Sequence, residues 1–207
     1  MDKESLKEQY EELQVQYRNA IRIAQAFIDN VKDELAASPT IRNPIKDDYW
    51  RLKTFDSALA KCRNKGIEEP DIEQMKQIVG DIAGIRIICL YLDDVERVAK
   101  FLKNAPGISI TKIKDYIVKP KESGYSSLHL KTLVQVPTQT EGTRMIPVEI
   151  QIRTEMMETW AQAEHRAKYK SAKGPTEEVN KSLLELAENF RKADELLVKI
   201  RKSSEDD

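Results

Sequence analysis

At 207 residues the chain can bury one sizeable core, or a core with a helical appendage, so one catalytic-size domain is expected. Its 34 Lys and Arg against 35 Asp and Glu give a formal net charge of -1, which excludes a general nucleic-acid coat and leaves room only for a local basic patch. No apolar run approaches the roughly 20 residues of a membrane span and the charged N-terminus lacks a signal-peptide core, so the expected location is the cytoplasm. Cys62 and Cys89 have neither zinc spacing nor a partner framework, and read as thiols of a reducing compartment. His129 and His165 are the only histidines, too few for a histidine-rich metal hydrolase site.

From Met1 to about Ala37, Leu6, Tyr10, Leu13, Tyr17, Ile21, Ala24 and Ile28 recur every three or four residues and predict one long helix with an apolar stripe. Ser38 to Pro44 is a proline-bracketed loop, and Tyr49 to Lys53 a short extended piece with Arg51 and Lys53 on one face. A helix from about Phe55 to Asn64 closes at Gly66, and Ile72 to Ile78 forms another short one.

Asp81 then leads into the nearly continuous apolar run to Tyr91, the mark of a strand buried on both faces. The charged residues at its head, Asp81 and Arg86, must be paired or must bind something, because an unpaired buried charge costs several kcal/mol. Asp93 to Lys103 is an amphipathic helix, Ile108 to Tyr116 a half-exposed strand with one phase slip, and Ser127 to Val136 a further strand after the loop Val118–Tyr125. Thr138 to Thr143 connects to a strand in which Val148, Ile150 and Ile152 alternate with Glu149, Gln151 and Arg153. Thr154 is the expected N-cap of a helix with Met157, Trp160 and Ala161 at helical spacing and Glu164, His165 and Lys168 one turn apart. Lys173-Gly174-Pro175 breaks the chain before a last helix from Thr176 to about Lys202, on the stripe Val179, Leu183, Leu186, Phe190, Ala193, Leu197 and Ile200.

The order predicts an α+β fold: a mixed sheet of about five strands with helices packed on it and long N- and C-terminal helices. Residues 1–45 form the N-terminal helical segment, 46–172 the core, and 173–207 a C-terminal helix suited to oligomerisation. No GxxxxGK[ST] or GxGxxG turn occurs, so phosphates would be held by side chains.

Four strings in order, Asp81-Ile-Ala-Gly-Ile-Arg86, Gly124-Tyr-Ser-Ser-Leu-His129, Val148-Glu-Ile-Gln-Ile-Arg-Thr154, and Trp160-Ala with Glu164-His165 and Tyr169-Lys170, resemble the synthetase domain of the RelA/SpoT family. The small size and flanking helices are similar to the stand-alone small alarmone synthetases. The resemblance implies a GTP pyrophosphokinase, which moves the β,γ-pyrophosphate of ATP to the 3′-hydroxyl of GDP or GTP and releases AMP. Such a transfer needs alignment, metal and positive charge. Asp81 and Glu149, on different strands, suit one Mg²⁺ that keeps several waters, and Glu149 could also orient or deprotonate the attacking hydroxyl.

On the donor side the resemblance places Arg51 and Arg86 around the adenine and Lys53, Ser57 and Lys61 at the ATP phosphates. Trp50 stands where the family has a small residue, which predicts a reshaped donor pocket. On the acceptor side it gives Tyr125 the guanine face and Lys114, Lys121 and His129 the phosphates. Gln151 can bond the base or ribose. Glu158 falls near the guanine edge, where a carboxylate accepts from N1–H and N2–H and repels adenine. His165 has the alternative of a core histidine.

With no segment left for a hydrolase metal site, synthesis without hydrolysis is expected. The rivals are a toxin-type relative that pyrophosphorylates the tRNA 3′ end or an adenine nucleotide, and a catalytically silent nucleotide- or RNA-binding regulator; the charge balance does not indicate RNA. The resemblance also implies a homotetramer assembled through the terminal helices.

Overall fold

The computed structural model describes residues 3–39, 41–139, 142–169 and 175–205. Lys170 of the fourth string, Lys173-Gly174 of the expected break, and residues 140 and 141 of the connection before the strand of Glu149 lie outside the described residues. The elements follow the expected order: α1 Lys3–Ala36, β1 Ile45–Leu52, α2 Phe55–Arg63, α3 Ile72–Ile78, β2 Ala83–Cys89, α4 Leu92–Lys103, β3 Ile108–Asp115, β4 Leu128–Thr138, β5 Gly142–Thr154, α5 Glu155–Tyr169 and α6 Glu177–Glu205.

Five strands form one mixed sheet in the order β1-β2-β5-β4-β3. Only β2 and β5 run parallel; the other neighbours are antiparallel. The parallel pair is central, which is why Ile85, Ile87, Ile150 and Ile152 are all 1% exposed or less. The phase slip in β3 is a break in register between Ile110 and Lys112.

Every residue of the α1 stripe is buried, and α1 shares one apolar core with the sheet. Its polar groups also hold the chain that follows β1: Tyr10 Oη and Gln14 Nε2 donate to the Lys53 carbonyl at 2.9 and 2.8 Å. The α6 stripe is only partly correct. Leu183 is buried, but Val179 and Ile200 at its ends are 37% and 63% exposed. The covered face drifts around this long helix, so that Asp194 is buried instead, 2% exposed. Trp160 anchors α5 to α6 by donating from Nε1 to the Leu183 carbonyl at 2.7 Å.

Three expectations are revised. β1 begins at Ile45, four residues before the expected start, because its pairing with β2 reaches Cys89. Asp81 lies in the turn ahead of β2 rather than on a strand. His165 is exposed on α5, which removes the core-histidine alternative. Cys62 and Cys89 are buried free thiols, and burial pushes the Cys89 thiol up to about 12.

Candidate active site

Strand register assembles the site. Residues that pair in register share a face, so two rows cross all five strands on one side of the sheet. The first runs Arg51, Gly84, Glu149, Lys131, Lys112; the second runs Tyr49, Arg86, Gln151, His129, Lys114. Gly84 offers no side chain between Arg51 and Glu149. The resulting cavity, about 150 Å³, is lined by Arg51, Asp81, Gly84, Arg86, Glu149 and Gln151.

Asp81 reaches this cavity from the turn before β2 and anchors the cations expected on the donor side. Lys61 donates to Oδ1 at 2.7 Å, Lys53 lies 3.0 Å from Oδ2 and Arg51 3.9 Å. Burial alone would raise the Asp81 carboxyl, but the hydrogen bonds and charges of Lys61 and Lys53 outweigh it and hold the group below its ordinary value. Thr54 caps α2 by accepting from the Ser57 amide, which sets exposed Ser57 in the first turn, one turn before Lys61 on the same helix face.

Glu149 accepts from Gln151 Nε2 at 2.8 Å and lies 3.6 Å from His129 Nδ1. Burial again pushes upward, and the neighbouring His129 and Gln151 reverse it, against the repulsion of Asp81. Both acids are therefore ionised at neutral pH and close enough to feel each other. Among the described residues no group of three or more His, Cys, Asp or Glu could hold a metal.

The residues expected on the acceptor side gather around Tyr125. Its hydroxyl is 2.7 Å from His129 Nε2, its ring meets Trp160 edge-on, and Lys121 Nζ stands 4.8 Å from its centroid. Lys121 also donates its backbone N–H to the Tyr125 carbonyl, closing the loop that presents the ring. Lys114 pairs in register with His129. Glu158 lies on the first turns of α5, 8% exposed, and is already engaged: Arg86 and Arg153 each donate to it at 2.9 Å and Gln162 at 3.0 Å. Burial and the charge of Arg153 pull the Arg86 guanidinium below its ordinary value, and Glu158 opposes them.

Trp50, 53% exposed, alternates away from Arg51 along β1 and also lines a second groove beside Arg22 and Gln25 of α1. It borders the donor cavity without filling it.

Two residues given no substrate role by the resemblance lie among these groups, Arg153 on the polar face of β5 and Lys131 on β4. Arg153 is 4% exposed and donates to Ser127, Gln151, Glu158 and the Tyr125 hydroxyl, so it locks the acceptor network together. The alternation Glu149, Gln151, Arg153 was the available signal for it. Lys131 pairs in register with Glu149, and only the register of β4 on β5 reveals it.

A cationic cleft with two ionised acids at its floor, flanked by stacking groups on either side, is the equipment of a nucleotide-handling site. The chain belongs to the family defined by the region found in RelA / SpoT proteins, which matches residues 50–174. Among its relatives, the GTP pyrophosphokinase YwaC of Bacillus subtilis is 38% identical over 161 residues, covering 77% of this chain and 75% of that protein. The GTP pyrophosphokinase YjbM of the same organism is 36% identical over 194 residues, covering 93% and 89%. The small alarmone synthetase 1 from Bacillus subtilis bound to its product pppGpp superimposes with a TM-score of 0.85 at 33% identity, over 94% of this chain and 97% of that one. Its AMPCPP-bound form gives 0.81 at 30% identity, over 97% and 100%.

Proposed function

We propose that this chain is a GTP pyrophosphokinase that makes (p)ppGpp from ATP and GDP or GTP. The observation that carries the reading is the shared cavity of Asp81 and Glu149, with Arg51 and Arg86 on its walls. The 3′-oxygen of the acceptor bonds to the β-phosphorus of ATP, the bond from that phosphorus to the α,β-bridging oxygen breaks, AMP leaves with the electron pair, and the hydroxyl proton is released to solvent.

The donor adenine lies between Arg51 and Arg86, whose planar guanidiniums suit stacking. Lys53, Lys61 and Ser57 hold the triphosphate. Tyr125 supplies the face for guanine, Glu158 and Gln151 its polar edge and ribose, and Lys114, Lys121 and His129 the acceptor phosphates. Two carboxylates facing phosphates fit a Mg²⁺ ion, which takes one or two protein acids and fills its shell with water and substrate oxygens. When bound it would neutralise charge on the moving phosphates. Glu149, held below the usual carboxylate range, is better suited to metal binding and to orienting the 3′-hydroxyl than to removing its proton.

Incubation of the purified protein with ATP, Mg²⁺ and GDP or GTP is expected to yield ppGpp or pppGpp and AMP in equal amounts. Labelled tRNA or ADP in place of labelled guanine nucleotide would overturn the acceptor assignment, and an inactive protein would leave only the silent regulator. Hydrolysis of added (p)ppGpp is not expected, because exposed His165 and Tyr125-bonded His129 offer no histidine metal site among the described residues.

No described helix is long and apolar enough to cross a membrane. We read the enzyme as cytoplasmic, where its nucleotide substrates are found, and as a homotetramer. The exposed Leu184, Leu196 and Ile200 of α6 support association through that helix. A monomer mass by light scattering at micromolar concentration would remove the tetramer.

A further inference from the structure

Lys131 has no part in the assignments above, yet it stands at the centre of the site. On β4 it pairs with Glu149 on one side and with Lys112 of β3 on the other. Its Nζ lies 3.2 Å from where a Cβ on Gly80 would stand, next to Asp81. The ammonium is therefore placed between the segment of Asp81 and the strand of Glu149.

Its partners do not account for it. Lys131 is half-buried, and its ammonium forms no hydrogen bond or ion pair among the described residues. Glu149 directs its carboxylate to Gln151 and His129 instead, and Asp81 is taken by Lys53 and Lys61. Like charges directly opposite on paired strands destabilise a sheet, and Lys112 and Lys131 are such a pair. A half-buried cation facing another cation, with both neighbouring acids already engaged, is a site prepared for an anion.

We infer that Lys131 is a catalytic residue of the pyrophosphate transfer, contacting the phosphoryl oxygens of the group as it passes from ATP to the acceptor. The inference rests on the proposed reaction. Lys53 and Lys61 lie on the donor side of Asp81 and Lys114 on the far strand, so Lys131 is the cation whose register matches Glu149 itself. Charge that is spread over the moving group in the transition state is stabilised by a fixed ammonium at that point more than it is in either bound nucleotide.

The test is steady-state kinetics of Lys131→Met, Lys131→Arg and Gly80→Ala with ATP, Mg²⁺ and GTP, beside thermal unfolding of each. Lys131→Met is expected to lower kcat 10- to 100-fold with KM for ATP within threefold and a Tm no lower than that of wild type, because it removes the like-charge pair with Lys112, and Lys131→Arg to recover part of the loss. Gly80→Ala keeps every charge but pushes on Nζ, and is expected to lower kcat less than Lys131→Met does. A kcat for Lys131→Met within twofold of wild type, or a loss confined to KM for GTP, overturns the inference. Wild-type protein that makes no pyrophosphorylated guanosine overturns the proposed reaction itself, which the same assay reads separately.

Discussion

Arg86 and Glu158 form an ion pair at 2.9 Å that joins β2 to α5, and so the proposed donor side to the proposed acceptor side. The carboxylate that would read guanine is thus bound to the guanidinium that would stack adenine, and a second guanidinium, Arg153, holds its other oxygen. Removing one partner from such a buried arrangement leaves charge uncompensated. Glu158→Gln is expected to lose about 2 kcal/mol of stability in urea unfolding, by that penalty. It should also raise KM for both nucleotides, by about tenfold for the guanine one if a charge-assisted hydrogen bond is lost. An acceptor KM equal to that of wild type would take Glu158 out of base recognition.

Asp81 holds three cations in place, Lys61, Lys53 and Arg51. Asp81→Asn keeps the shape but frees Lys53 and Lys61 from their counter-charge. Turnover is expected to fall at least about a thousandfold, the scale of losing a charged group that acts on the transition state. Excess Mg²⁺ should not restore it, and circular dichroism should show the fold retained, because the core lies on the other side of the sheet. Rescue at high Mg²⁺ would indicate that the mutation weakened metal affinity alone.

Asp194 gives a pH dependence that has nothing to do with catalysis. Thr154 Oγ1 donates to it at 2.8 Å, the other carboxylate oxygen has no partner among the described residues, and burial pushes its pKa up to about 6. The folded chain therefore binds a proton more tightly than the unfolded chain, whose Asp titrates near about 3.9. Stability from this group is fully present below about pH 4 and declines as pH rises through about 6, by up to about 3 kcal/mol. Asp194→Asn still accepts from Thr154 and never ionises. Its Tm is expected to exceed that of wild type at pH 7.5, with the gap closing as pH falls toward 4; an equal Tm at both would contradict the buried charge.

Gly124 controls how Tyr125 is presented. Its φ is +90°, and a Cβ there would lie 2.8 Å from Cβ of Ala187 on α6. Gly124→Ala combines a backbone conformation that L residues avoid with a clash against a packed helix, and is expected to cost about 2 kcal/mol or more. Acceptor KM should rise with it, since the next residue is the stacking ring. Ala187→Gly in the same chain removes the clash and leaves the backbone strain, so a double-mutant cycle should recover only part of the loss.

Much of this arrangement could be read from the residues, because local pattern and tertiary position agree there. The alternation of β5 placed Glu149 and Gln151 on one face, the apolar run of β2 located an interior strand, and the α1 stripe matched the buried face at every position but Ala20. The failures have a common origin. Arg153 reads as a polar-face residue because alternation says which side a side chain takes, not whether a helix and a tyrosine will cover it. Lys131 carries no local signal at all, since its meaning comes from the strand register that places it across from Glu149. Asp81 reads as part of a strand because the apolar run has no boundary mark before Ala83, and a core position stays open for His165 because half of α5 is covered while the other half is not.

The strand order has a consequence for how the enzyme comes into being. β1 and β2 lie on one side of β5, β4 and β3 on the other, and β5 is the last of the five to leave the ribosome. Without it the strand order leaves two strand pairs, one bearing Arg51 and Arg86 and the other following the Tyr125 loop, joined by no backbone pairing. The same segment that delivers Glu149 closes the gap, so the two pairs become one sheet only through the strand that carries that acid.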